Sequence, residues 1–152
     1  MMKVLRLFPA LVLIASCSSG GGLESGAYDL GPNSPIAVDI TRVQGYFSEI
    51  PTSIELSVDV ENMADFDLTV DRIDVWTSRG SAFTIDAISK RVNHLLSDGE
   101  DYSFELRSWG KQVRPLRPNE ASTIILDIRV VLTNGDSYRV AYSVPVESTR
   151  RF

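Results

Sequence analysis

The chain is 152 residues long and carries 20 Asp and Glu against 15 Lys and Arg, a formal charge of −5 at pH 7. That acidic balance makes nucleic acid a poor partner, because phosphate binding needs clustered cations. A single cysteine and a single histidine exclude a disulfide framework and all but exclude zinc, whose sites take several N or S ligands.

The N-terminus opens Met1-Met2-Lys3-Val4-Leu5-Arg6, two cations and no acid. An apolar run, Leu7 to Ile14, follows. A membrane-spanning helix needs about 20 apolar residues, so this run is too short and fits the core of a signal peptide. Ile14-Ala15-Ser16-Cys17 resembles the bacterial lipobox, with Ser16 where Gly or Ala is commoner. The resemblance implies cleavage before Cys17, a thioether-linked diacylglycerol on Cys17, and a lipid bilayer as the first partner. One acyl chain binds a membrane marginally, whereas two or three anchor it stably. Ser18 after the cysteine implies, by the same resemblance, the outer membrane of a two-membrane bacterium. Ser18-Ser19-Gly20-Gly21-Gly22 has the composition of a flexible tether. The expected organisation is a signal peptide over 1–16, a tether over 17–35, one domain over 36–148 and a tail over 149–152.

From Ile36 the pattern becomes period-2 alternation, the mark of half-buried strands. Ile36, Val38 and Ile40 share one face. Ile54, Leu56, Val58 and Val60 share another, opposite Glu55, Ser57, Asp59 and Glu61. Leu68 and Val70 begin a strand whose later residues, Ile73 and Val75, fall in the opposite phase. A bulge near Asp71-Arg72 is therefore expected. Ile88, Val92, Leu95 and Leu96 recur at helical spacing, with Gly99 as a stop, so the sequence predicts a short helical turn over 88–96. Phe83 and Ile85 precede that segment. Tyr102, Phe104 and Leu106 follow it. Ile124 to Leu132 and Tyr138 to Val146 give two long strands around Asn134-Gly135, a pair suited to a type I′ hairpin.

Seven or eight short antiparallel strands point to an all-β sandwich. The run SIELSVDVENMADFDLTVDRIDVWTSRG, then LRPNEASTIILDIRV, resembles bacterial immunoglobulin-like domains. Fibronectin type III modules and water-stress sandwiches share that pattern. The resemblance implies an immunoglobulin-like fold without the disulfide of the antibody type. It bears on fold and not on activity.

Catalytic motifs are absent from the sequence. By the lipobox resemblance Cys17 carries lipid, and His94 falls on the surface of the predicted helical turn. No G-x-S-x-G or Gly-rich phosphate loop occurs, and no cofactor is implied. Asp65 and Asp67 alternate onto one face among Glu61, Asn62, Asp71 and Asp74. They are a calcium candidate or a solvated acidic face. Residues 24–105 hold sixteen acids and five bases, whereas 106–152 hold four acids and eight bases. Trp76 and Trp109 complete no alternating apolar face. Trp109 sits among Arg107, Lys111, Arg114 and Arg117, an interface composition, unless both tryptophans cap the ends of the core. The function expected is that of a non-catalytic binding or accessory lipoprotein of the cell envelope, with an envelope protein or glycan as partner. The alternative is a structural lipoprotein of a larger envelope assembly, and the third reading, after these two, is an envelope hydrolase.

Overall fold

The computed structural model describes Leu30 and residues 33–148. Cys17, the signal peptide, most of the tether and the tail over 149–152 lie outside the described residues. The strands are β1 (Ile36–Gln44), β2 (Tyr46–Phe47), β3 (Thr52–Asn62), β4 (Leu68–Thr77), β5 (Phe83–Ile85), β6 (Ile88–Leu96), β7 (Asp101–Gln112), β8 (Thr123–Leu132), β9 (Ser137–Pro145) and β10 (Glu147–Ser148). The first sheet has the order β1-β3-β7-β5 and the second β6-β4-β8-β9. Every pairing within these two sheets is antiparallel. β10 and β2 form a small parallel pair beside them. The chain is thus an all-β sandwich of two four-stranded sheets.

Alternation builds the core. Ile54, Leu56, Val58 and Val60 of β3 face Ile73 and Val75 of β4 and Ile124, Leu126, Ile128 and Val130 of β8, all of them buried. At about 25 cal/mol per Å² of apolar area, this double row is the main source of stability. Phe47 and Phe83 meet edge to face, 5.5 Å apart, at one end of the core. Gly110 lies beneath them: a Cβ there would come within 2.7 Å of Phe47 and 2.6 Å of Ile54. The two sides of the sandwich are closed by polar aromatics. Tyr142 donates its hydroxyl proton to the Val38 carbonyl on one side, and burial pushes that hydroxyl's pKa up. On the other side His94 packs against Tyr102 and Phe104, with ring centres 4.0 and 5.5 Å away.

The expected bulge is present. The register of β4 slips between Val70 and Arg72 against both β6 and β8, and Asn93 on β6 takes a positive φ of 43°.

Two expectations are corrected. Residues 88–96 form the edge strand β6 and not a helical turn. Its inward positions are Ile88, Lys90, Val92, His94 and Leu96, all but Val92 in register with residues of β4. Lys90 and His94 interrupt the apolar alternation and left a helix-like spacing. Both are accommodated because the strand lies at the edge. Lys90 reaches the Glu105 carbonyl at 3.1 Å, and His94 covers the aromatic side of the core. The hairpin after β8 is present, but among its residues only Gly135 has positive φ, at 92°. The Gly135 amide bonds Leu132 O at 3.0 Å and the Leu132 amide bonds Asp136 O at 2.8 Å. This is a type I turn followed by a left-handed glycine, the three-residue alternative to the type I′ turn.

The sandwich has two distinct ends. The near end, where the chain enters at Ile36, holds the β3–β4 and β6–β7 loops and the β8–β9 hairpin. The far end holds the β2–β3, β4–β5 and β7–β8 loops. β1 runs between them, nine residues and so about 30 Å long.

Candidate functional site

The strongest candidate lies on the outer face of the first sheet, toward the far end. On β7, Phe104, Leu106 and Gly110 turn inward, so Arg107, Trp109 and Lys111 turn outward together. Trp109 is 57% exposed. Its cross-strand neighbour on β3 is Ser53, too small to cover an indole. On its other flank the Asp86 amide donates to Trp109 O at 2.8 Å. Arg107 pairs with Glu55 at 3.0 Å. Glu55 and Ser53, with Gln44, Tyr46 and Pro145, also line an open groove of 730 Å³. The result is an indole platform ringed by donors and acceptors beside a shallow groove.

The five residues singled out by sequence therefore separate. Arg107, Trp109 and Lys111 share one face. Arg114 is instead a clamp: it grips Glu120 at 2.6 Å and the Gly80 carbonyl at 2.9 Å, tying the β4–β5 loop to the β7–β8 loop. The Arg114 guanidinium, helped by the Arg117 backbone amide, holds the Glu120 carboxyl down at about 2. Arg117 is exposed on the same loop, and its charge reaches Glu120.

Trp76 proves to be part of a second polar surface, on the outer face of the second sheet. Neither tryptophan caps the core. Trp76 lies between Arg129 and Arg139, whose guanidinium carbons stand 5.8 and 5.0 Å from its ring centre, within cation–π range. Arg129 bonds Asp74 at 2.7 Å and Arg139 bonds Asp127 at 2.9 Å, and these carboxylate side chains are only 8% and 4% exposed. Arg72 adds a contact to Asp74 at 3.1 Å, Ser89 one at 2.6 Å, and Ser78 donates to Asp127. Burial works against ionisation of Asp74, but the bonds from Ser89 and Arg129 and the charges of Arg72 and Arg129 outweigh it and hold its carboxyl below the usual range. No buried side-chain polar atom among the described residues lacks a partner, so the network braces the sheet. Its residues alternate outward on β4, β8 and β9, a signal visible in sequence only once the strand pairing is known.

Asp65 and Asp67 lie in the β3–β4 loop at the near end. Asn62 organises that loop: its amide donates to Phe66 O, Leu96 O and Ser97 O at 2.8, 3.0 and 3.1 Å. Its carbonyl accepts from the Ala64 amide at 2.9 Å. Among the described residues no group of three or more His, Cys, Asp or Glu is placed to hold a metal ion. His94 stands among aromatics, against Tyr102 and Phe104. Among the described residues, no helix is long and apolar enough to cross a membrane.

No family model matches the chain. No curated protein matches it. Among solved structures it is similar to the sporulation control protein Spo0M of Bacillus subtilis, with a TM-score of 0.53 and 14% identity over 76% of this chain and 50% of that one. The chain thus spans half the length of that protein. It is also similar to an ApaA protein of Bordetella pertussis, with a TM-score of 0.46 and 13% identity over 73% of this chain and 93% of that one. A third is a calcium-binding mutant of Bacteroides uniformis β-glucuronidase 2, with a TM-score of 0.46 and 14% identity over 74% of this chain and 13% of that one. The likeness to Spo0M supports the β-sandwich fold and says nothing of activity.

Proposed function

We propose that this chain is a lipid-anchored protein of the bacterial cell envelope that acts as a non-catalytic binding module. The observation that carries the binding role is Trp109, 57% exposed between Arg107 and Lys111 on the face of a rigid sheet. A large indole left in water on a well-packed domain is the composition of an interaction surface. The anchor rests on Ile14-Ala15-Ser16-Cys17, and localisation to the outer membrane on Ser18. The strand order supports an immunoglobulin-like reading with seven main strands: β1-β3-β7 stands as the A, B and E strands, and β6-β4-β8-β9 as C′, C, F and G. β5, β2 and β10 are additions to that frame.

The two halves of this reading are tested separately. Mass spectrometry of the N-terminal peptide should find diacylglycerol on Cys17, and Cys17→Ser should release the protein from membranes. An unmodified Cys17 in the natural host removes the anchor. Sedimentation with isolated envelopes should fall at least tenfold for Trp109→Ala in a soluble form beginning after Cys17, with the melting temperature unchanged. Equal sedimentation of both forms removes the patch. A structural role within an envelope assembly is the second reading. A stable stoichiometric complex in membrane extracts would favour it.

A further inference from the structure

We infer that the two ends of the sandwich are complementary and join copies of this chain head to tail. The inference rests on the reading of the Trp109 end as a binding surface and names a second copy as its occupant. The large apolar side chains left exposed among the described residues fall in two groups. Met63, Phe66, Leu95 and Tyr102 lie at the near end. Tyr46, Ile50, Trp109 and Val113 lie at or beside the far end.

The charges around the two groups differ. The near end carries Glu61, Asp65, Asp67, Asp98, Glu100 and Asp101, and its loops hold no Lys or Arg. The far end carries Arg79, Lys111 and Arg117 on exposed positions, while Arg114 there is spent on Glu120. Glu49 and Asp86 are the remaining acids described in its loops, so it is mixed where the near end is uniformly acidic. Contact between two near ends would set acid against acid. Contact of a near end with a far end sets acids against free cations and apolar groups against apolar groups. The surfaces are also preorganised. Asn62 pins the loop that presents Met63 and Phe66, and β7 holds Trp109, which lowers the ordering cost of association. A head-to-tail contact uses different surfaces on each copy, so it extends into open chains or closes a ring.

The test uses the full chain in detergent density-matched for analytical ultracentrifugation. At low ionic strength the mass should rise with concentration beyond a dimer. Salt should weaken the association at least tenfold in dissociation constant, as surface charges become screened. One variant, Phe66→Lys with Asp67→Lys, blocks the near end. Another, Trp109→Glu with Lys111→Glu, blocks the far end. Each alone should remain a monomer, and an equal mixture should form dimers and nothing larger, since one intact near end meets one intact far end. Melting curves check that both fold. If either does not, Met63→Ser with Asp98→Lys, or Val113→Ser with Arg117→Glu, replaces it. A wild-type chain that stays monomeric throughout overturns the inference, as does self-association of either blocked variant. Loss of envelope sedimentation on Trp109→Ala with a monomeric wild type would remove the second copy as partner while leaving the binding surface standing.

Discussion

Arg139→Ala should destabilise this protein far more than Asp127→Ala, although the two residues form one ion pair. Arg139 bonds Asp127 Oδ1 through Nε at 3.0 Å and through a terminal nitrogen at 2.9 Å. The Asp127 side chain is 4% exposed and that of Arg139 33%. Removing Arg139 leaves a buried carboxylate with Ser78 as its side-chain partner, and breaking a buried pair in this way costs about 3–5 kcal/mol. It also strips one guanidinium from Trp76, a loss of about 0.5–2 kcal/mol. Removing Asp127 leaves a guanidinium already in reach of water. The cost is then the lost charged bond and the stranded Ser78 hydroxyl, about 1–3 kcal/mol. For a domain of this size about 4 °C of melting temperature accompanies each kcal/mol. Thermal unfolding followed by circular dichroism should therefore show a drop of about 14–28 °C for Arg139→Ala and about 4–12 °C for Asp127→Ala. The double variant should be no less stable than Arg139→Ala alone, because it strands no charge. Equal losses for the two single variants, or a double variant that loses their sum, would refute the assignment of the cost to a buried unpaired carboxylate.

Gly110→Ala should cost about 1–3 kcal/mol in urea unfolding through overpacking, since its Cβ would stand 2.6 Å from Ile54 and 2.7 Å from Phe47; a neutral outcome would show that Phe47 moves freely. Asn62→Ala should cost about 1–3 kcal/mol and speed hydrogen exchange at the Ala64 amide, whose acceptor is the Asn62 carbonyl. By NMR titration Glu120 should ionise at about 2, below its ordinary 4.5. The folded pKa is depressed, so its stabilising contribution is full above pH 4.5 and disappears as pH falls through about 2. Arg114→Ala should return the titration toward the ordinary value, and an unmoved titration would separate Glu120 from Arg114.

Much of the sandwich is legible in the sequence because period-2 alternation is a local property. β3 and β8 each repeat large aliphatics at every second residue, and one buried face follows from that alone. The phase change from Val70 to Ile73 likewise announced the bulge. β6 was not legible. Its inward positions include Lys90 and His94, which an edge strand tolerates because one side remains near water, while Leu95 on the outside completed a false helical repeat. The hairpin after β8 was legible in place but not in turn type. Asn134-Gly135 suits more than one turn, and the strand register chooses among them. β2 and β10 are too short for any period to register.

The candidate site divides in the same way. Sequence by itself carried the resemblance to a lipobox around Cys17 and the cluster of cations around Trp109, because each is a matter of residue type and near spacing. Only the tertiary structure decided that Arg114 is spent on Glu120 while Arg107, Trp109 and Lys111 share a face. It alone placed Trp76 between two arginines from β8 and β9, and separated an acidic end from one with free cations. Those distinctions depend on which strands lie side by side, and pairing between residues far apart in the chain is set by how the two sheets close over a common core.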